Sequence, residues 1–175
     1  MNISIKKAQL KDIETLSRIH STSLIAAFGG LFPEEIVMQF FGFERRLKGF
    51  AKELEKGQPV NFLVYDEDEA IGILSYGPSR HMEVDDDTIE IWRVYFLPGY
   101  WGRGAAAIAM DLIMKKIQEA GYKKVILWVM EENLRARRFY EKSGFEKTMK
   151  IHDDELGRPT REIMYELALK PKESV

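Results

Sequence analysis

The chain has 175 residues, of which 45% are apolar and 31% charged, and its net charge is -2. This balance is typical of a soluble globular protein, and the small net charge argues against nucleic acid or a membrane surface as the partner. The chain contains no cysteine, which excludes disulfides, thiolate metal sites and a cysteine nucleophile. Its first residues hold no hydrophobic signal core, which predicts a cytoplasmic protein. We expect a single domain over residues 1–170 and a short polar tail over residues 171–175.

The N-terminal third of the chain is rich in helical patterns. Residues 2–8 alternate in the manner of a short strand, and apolar residues at helical spacing predict a helix from Leu10 to Phe28. Two glycines then end that helix. A second helix is expected after Pro33, and a third from about Glu44 to Lys56.

The rest of the chain alternates between strand and helix patterns. Strands are predicted at NFLVYD, AIGILSYG, TIEIWRVYFL, KVILWVM, FEKTMKI and TREIMYELAL, with DDELGRP in the loop before the last. One helix is predicted from about Gly104 to Ala120. The segment NLRARRFYEKS predicts another helix, which ends at Gly144. The central strand–helix–strand unit predicts one parallel pair, because such a connection is a crossover. We therefore expect a mixed α/β sheet, mostly antiparallel, with helices on both faces.

A glycine-rich turn stands between the third of these strands and the helix after it. Gly102, Arg103 and Gly104 are followed by three small residues, Ala105, Ala106 and Ala107. The first N–H groups of a helix have no internal acceptor and carry the positive end of its dipole. A bare turn of this kind suits a phosphate, and Arg103 could add a charged contact. A tight turn without any ligand explains the same pattern.

Two motifs together resemble the GNAT superfamily of acyl-CoA-dependent N-acetyltransferases. The first is the family's Arg/Gln-x-x-Gly-x-Gly/Ala loop, which Gly104 and Ala106 match and from which Trp101 departs. The second is the block NLRARRFYEKSGF, which supplies Asn133, Ala136, Phe139, Tyr140, Gly144 and Phe145. The resemblance implies the GNAT fold and acetyl-CoA as co-substrate.

The same resemblance assigns the coenzyme contacts. The coenzyme A pyrophosphate would rest on the amides of residues 102–107, and the main chain of Val94, Tyr95 and Phe96 would pair with the pantetheine arm. Asn133 would contact that arm or the acceptor, although an N-cap explains this residue equally well. The arginines at 135, 137 and 138 would reach the 3′-phosphate, or form a solvated helix face.

The resemblance also implies a direct transfer in a ternary complex. Tyr140 is the candidate general acid, because a phenol is protonated at neutral pH and can donate to a thiolate; packing in the helix with one face in the core is the alternative. Glu90 is the candidate base, since some relatives carry a base glutamate there; an ordinary strand carboxylate is the alternative. A second base position known in the family holds Trp128 in this chain, which closes that route.

The acceptor is the least defined part of the prediction. A primary amine of a small molecule or peptide is expected, and acidic loops at 83–87, 131–132 and 152–155 would attract a cationic, polyamine-like amine unless they are merely solvated. The three histidines have no metal spacing, so no metal is predicted. Ile108 and Leu112 form an apolar patch, which a neighbouring helix or the partner in a homodimer could cover. A non-catalytic acyl-CoA sensor and an unrelated phosphate-binding domain are the rival functions.

Overall fold

The computed structural model describes residues 1–169, so the expected tail at 171–175 lies outside the described residues. The elements follow the predicted order. They are β1 (Ile3–Lys7), α1 (Ile13–Phe28), α2 (Glu34–Phe41), α3 (Phe43–Lys56), β2 (Val60–Asp66), β3 (Glu69–Gly77), β4 (Thr88–Phe96), α4 (Ala105–Glu119), β5 (Lys124–Met130), α5 (Leu134–Lys142), β6 (Glu146–Glu155) and β7 (Pro159–Ala168).

Within residues 1–169, seven strands join one sheet in the order β1-β2-β3-β4-β5-β7-β6. Among these described strands only β4 and β5 are parallel, and their pairing covers Thr88–Ile91 against Lys124–Leu127. Beyond Ile91 the two strands separate, although β4 continues to Phe96 and β5 to Met130. The sheet therefore has a wedge-shaped opening at its centre, and the expected mixed α/β fold with one parallel pair is confirmed.

Helices cover both faces of the sheet because both faces are apolar. On one face α4 buries Ala109, Met110 and Ile113 against strand residues that include Val125 and Leu127. On the other face α1 and α3 bury side chains in a second cluster, made of Leu16, Ile19, Phe50, Leu63 and Ile73. Each fully buried aliphatic or aromatic side chain contributes about 1.5–3 kcal/mol to the hydrophobic stabilisation.

The expected end of the first helix is confirmed, since α1 ends at Phe28 and the two glycines belong to a short 3₁₀ turn, Gly29–Leu31. One local prediction differs from the structure. The expected DDELGRP loop is too long, because β6 and β7 extend into it and leave only residues 156–158. Cross-strand contacts explain the extension: Arg161 donates to Asp153 at 2.7 Å, and Thr160 pairs with Asp154.

No helix within residues 1–169 is both long and apolar enough to cross a bilayer. Of the two residues in the apolar patch predicted on α4, Ile108 is 41% exposed and Leu112 is half-buried.

Candidate active site

A groove of about 470 Å³ opens where β4 and β5 separate. It brings together most of the predicted site residues from three elements. Those that line it are Val94, Tyr95, Phe96, Gly102, Gly104, Ala106, Asn133 and Tyr140. Arg103, Ala105 and Ala107 are not among its lining residues. The wedge in the sheet thus creates the groove, and the glycine turn and α5 form its walls.

The glycine turn presents bare main chain to this groove. Gly102 has a φ of +71° and Gly104 a φ of +90°, a left-handed conformation that side chains disfavour. A Cβ at either position would meet nothing within 4 Å, so the space in front of the turn is open. Among the hydrogen bonds of the described residues, none uses the amides of Gly102, Gly104, Ala105 or Ala106 as donors, whereas Ala107 N–H already bonds to Gly104 O at 3.1 Å. The Arg103 amide closes a turn over residues 101–102. Four free amides therefore stand at the positive end of α4.

The side chains around the turn explain its departure from the family motif. The Trp101 indole N–H donates to Phe96 O at 2.7 Å, which fixes the ring beside the groove. The Arg135 guanidinium lies 3.5 Å from the centroid of that ring and lines the groove itself. Arg103 instead donates to Gly99 O at 3.2 Å. Positive charge at the groove therefore comes from α5 rather than from the turn.

The arginines of α5 separate into two groups. Arg135 and Arg138 line the groove together with Lys142. Arg137 points elsewhere, because its guanidinium donates to Tyr165 Oη at 3.2 Å and to Glu131 O at 3.0 Å. Only two of the three arginines considered from the sequence are thus placed to meet an anionic ligand in the groove.

Tyr140 and Asn133 hold the α5 side of the groove. Tyr140 is 8% exposed, and burial, with a smaller contribution from Tyr95, raises the pKa of its phenol above the ordinary value. The phenol is therefore protonated throughout the neutral range. Asn133 caps α5, since its Oδ1 accepts the Ala136 N–H at 3.1 Å. The cap orients Asn133 and leaves its side-chain amide group as a donor at the groove.

Glu90 is fully buried and ion-paired, which the sequence did not indicate. Its Oε1 accepts from Arg80 Nε at 2.5 Å, and its Oε2 accepts from the main-chain N–H of Arg80 at 2.8 Å. The Arg80 side chain is 33% exposed. Both carboxylate oxygens are therefore occupied in this structure by a single neighbour.

A cluster of titratable side chains lies near Glu90 and was missed by the sequence analysis. The His81 and His152 rings stack at 3.9 Å, and the Trp128 ring stands edge-on to His81 at 5.4 Å. His81 Nε2 is 3.7 Å from Glu162 Oε2. Burial raises the pKa of Glu162 despite the opposing effects of Arg80 and His152. Burial, His152 and Arg80 lower the pKa of His81.

The hairpin register was a signal that could have exposed one part of this cluster, the pairing of His152 with Glu162. His152 on β6 pairs with Glu162 on β7, and Glu162 also pairs with Met130 on β5. Residues directly opposite in a sheet share a face. Strand pairing thus places His152 beside Glu162, and His81 joins them from the loop between β3 and β4. Within residues 1–169 no group of three or more His, Asp or Glu side chains has metal-binding geometry.

Each of the acidic loops considered from the sequence has one carboxylate in an ion pair with a basic side chain. Glu132 forms an ion pair with Arg158, Asp153 pairs with Arg161 at 2.7 Å, and the Asp87 carboxylate lies 3.2 Å from a lysine. Exposed pairs of this kind contribute little to stability. The attraction of a cationic acceptor by these loops stays a prediction.

Comparison with known proteins agrees with this geometry. The sequence matches the acetyltransferase (GNAT) family over residues 28–145, and the chain belongs to that family. It is 44% identical over 61 residues to uncharacterized N-acetyltransferases of Mycobacterium bovis and Mycobacterium tuberculosis. Those alignments cover 35% of this chain and 39% of each relative.

Solved structures share the whole fold at low sequence identity. The PaiA N-acetyltransferase of Thermoplasma acidophilum, in complex with coenzyme A, superimposes with a TM-score of 0.79 at 19% identity, over 97% of this chain and 100% of that one. YncA of Salmonella typhimurium, with its cofactor acetyl-CoA, superimposes with a TM-score of 0.70 at 16% identity, over 100% and 98%. These similarities establish the GNAT fold for this chain.

Proposed function

We propose that the protein transfers an acetyl group from acetyl-CoA to a primary amine of a small molecule or peptide. The four free amides at the mouth of the sheet wedge carry this proposal. They form an anion site at a helix N-terminus, beside a groove that Tyr140 lines. Family membership and the coenzyme in two structural neighbours support the assignment of that anion as a coenzyme A pyrophosphate.

Different residues of the groove would bind different parts of the coenzyme. The four free amides would bind the pyrophosphate, and Arg135 and Arg138 would neutralise phosphate charge. The β4 edge would pair with the pantetheine arm. Phe96 O already accepts from Ser23 Oγ at 2.9 Å and from Trp101 Nε1, so that pairing would use main-chain groups of Val94 and Tyr95.

The proposed chemistry balances with one acid and one base. Bound acetyl-CoA supplies the thioester, whose carbon–sulfur bond breaks as the amine nitrogen bonds to the acetyl carbon. Tyr140 donates a proton to the leaving sulfur, and a carboxylate takes up the proton that the amine loses. No covalent bond to the protein is needed, so the absence of cysteine from the sequence is no obstacle.

Two carboxylates on the same sheet region are the rival bases. Glu90 is the base predicted from the sequence. It would have to break a hydrogen bond with Arg80 before it could accept the amine proton. Glu162 has no hydrogen-bond donor among the described residues and is 27% exposed, with His81 Nε2 at 3.7 Å. A carboxylate with a raised pKa is the better acceptor of a proton near neutral pH. We favour Glu162 on this ground.

Calorimetric titration with acetyl-CoA, with ATP and NAD as controls, tests the coenzyme assignment. Addition of a panel of amines, with free thiol followed, then tests the transfer. We expect binding of acetyl-CoA in preference to both controls and amine-dependent thiol release. Binding without release from any amine would favour an acyl-CoA sensor, and equal binding of ATP would favour an unrelated phosphate-binding domain.

A further inference from the structure

A second cavity, of about 650 Å³, lies between α2, α3 and β4. We call it the basic cavity, because Arg45, Arg46, Lys48, Lys52 and Arg93 line it against only two carboxylates, Glu44 and Glu53. It shares none of its lining residues with the coenzyme groove. Neither the family motifs nor the proposed mechanism uses it.

The positive charge of this cavity is not neutralised from within. Arg93 takes up the Glu53 carboxylate through two bonds, of 2.6 and 2.9 Å. Arg46 donates only to the main-chain oxygen of Phe40, at 2.7 Å, and its buried Nε–H has no partner. The Arg45 guanidinium lies over the Phe40 ring. Within residues 1–169 neither Arg45 nor Arg46 has an ion pair.

A buried histidine completes the wall of the basic cavity. His20 is 4% exposed, and its Nδ1 has no hydrogen-bond partner. Burial, followed by Arg93 and Arg46, lowers the pKa of this imidazole. Unpaired buried donors and acceptors are rare, since each costs about 1–3 kcal/mol when left unsatisfied. Two of them on one basic cavity, at His20 and Arg46, indicate that a polar ligand belongs there.

The basic cavity borders on the proposed reaction site. The His20 ring lies 4.7 Å from the Tyr95 ring, and Tyr95 lines the coenzyme groove near Tyr140. Burial raises the pKa of the Tyr95 phenol, and Glu162 adds to this shift while Arg93 and Arg46 oppose it. A single aromatic side chain therefore separates the cavity from the groove.

We propose that the basic cavity binds an oxyanion, either a carboxylate or a phosphate, and that this anion is part of the amine acceptor. The assignment to the acceptor rests on the proposed function. The acceptor would place its anion against Arg45, Arg46 and His20, and its amine beside Tyr95 near Glu162. A small amino acid or amino phosphate meets both requirements, whereas a polyamine meets only one.

Paired acceptors test the charge preference of the transfer. β-Alanine is compared with β-alaninamide, phosphoethanolamine with ethanolamine, and putrescine serves as the dication. We expect kcat/KM to be at least about tenfold higher for each anionic acceptor than for its neutral partner, since one charge-assisted hydrogen bond corresponds to roughly a ten- to hundredfold change in binding. Equal or better use of the neutral amines or putrescine would overturn the assignment to the acceptor.

Substitutions in the basic cavity test whether the preference for anionic acceptors depends on this cavity. R46Q and R45Q should each remove most of the preference through a higher KM for the anionic acceptor, with acetyl-CoA affinity unchanged. Arg45 is exposed, so R45Q keeps the test valid even if R46Q folds poorly. R18Q is the matched control, because Arg18 is an exposed arginine on α1 outside the cavity. An unchanged preference in both R45Q and R46Q would overturn the proposal.

Titration with inorganic phosphate tests the anion site without turnover. The His20 imidazole resonance, assigned by its loss in H20Q, should shift on addition of phosphate in the wild type and not in R46Q. Phosphate binding without thiol release from any amine would leave the anion site standing and contradict the proposed function. Thiol release without a shift of the His20 resonance would support the proposed function and overturn the anion site. Acceleration of neutral amines by free phosphate would overturn the acceptor assignment and identify a separate anion.

Discussion

At the scale of single residues, Tyr140 carries the most direct prediction. Its buried phenol keeps a raised pKa and is the proposed donor to the leaving sulfur. We expect Tyr140→Phe to lower kcat by roughly a hundredfold, the usual contribution of a positioned acid. Acetyl-CoA affinity, measured by calorimetry, should change little, because the ring and its packing against Phe145 are retained. Unchanged turnover would remove Tyr140 from the mechanism.

The choice between Glu90 and Glu162 is a second prediction at this scale. The pKa of Glu162 is raised by burial from its ordinary 4.5, and a base works only when deprotonated. The acid limb of kcat/KM should therefore lie above pH 4.5, with activity falling as the pH falls through it. We expect Glu162→Gln to lower the rate and abolish this limb, measured from pH 4 to 8. Glu90→Gln should leave the limb in place, and the opposite pattern would restore Glu90 as the base.

At the scale of elements, the α4 N-terminus offers a matched pair of substitutions. Gly104 and Gly121 flank the same helix with φ values of +90° and +95°, and a Cβ at either meets open space. Gly104→Asp and Gly121→Asp therefore cost similar backbone strain. Only the first puts a negative charge beside the free amides. Calorimetry should show acetyl-CoA affinity at least about tenfold weaker in Gly104→Asp and nearly unchanged in Gly121→Asp. Equal affinities would move the pyrophosphate site elsewhere.

The elements also show how far sequence reasoning reaches. Period and turn residues predicted the strands, the α4 helix and the parallel pair, because these depend on local spacing and crossover rules. The hairpin loop was misjudged, since cross-strand pairs such as Asp153 with Arg161 depend on register. The ion pair of Glu90 with Arg80 and the stack of His81 on His152 depend on long-range placement. Local patterns carry no information on either.

At the scale of the whole molecule, the site lies where three regions of the chain converge on one interruption in the sheet. The short β4–β5 pairing opens the groove, α5 supplies the proposed acid and the cations that line the groove, and the N-terminal helices supply most of the basic cavity. The sequence motifs were enough to predict the groove and the contribution of α5, because these motifs coincide with α4 and α5. They do not reach the cavity, whose arginines at 45 and 46 lie on α3 and whose His20 lies on α1.

The buried His20 should make the stability of the whole molecule depend on pH. Because burial and two arginines lower its pKa in the folded state, the unfolded chain binds the proton more readily below the ordinary value of 6.5. Stability should therefore fall as the pH drops below about 6.5, by up to about 1.4 kcal/mol per pH unit, and His20 should contribute no pH dependence above it. Glu162 acts in the opposite sense, since its raised pKa favours the folded state at low pH.

Urea unfolding of the wild type and H20Q between pH 5 and 7.5 isolates the histidine, because Glu162 contributes equally to both. The wild type should lose more stability than H20Q on acidification. Saturating phosphate should reduce that loss, since an anion at Arg46 and His20 offsets the positive field that disfavours the imidazolium. Identical pH dependence in the two proteins would show that His20 does not titrate differently on folding. The charge argument for the basic cavity would then rest on Arg45 and Arg46 alone.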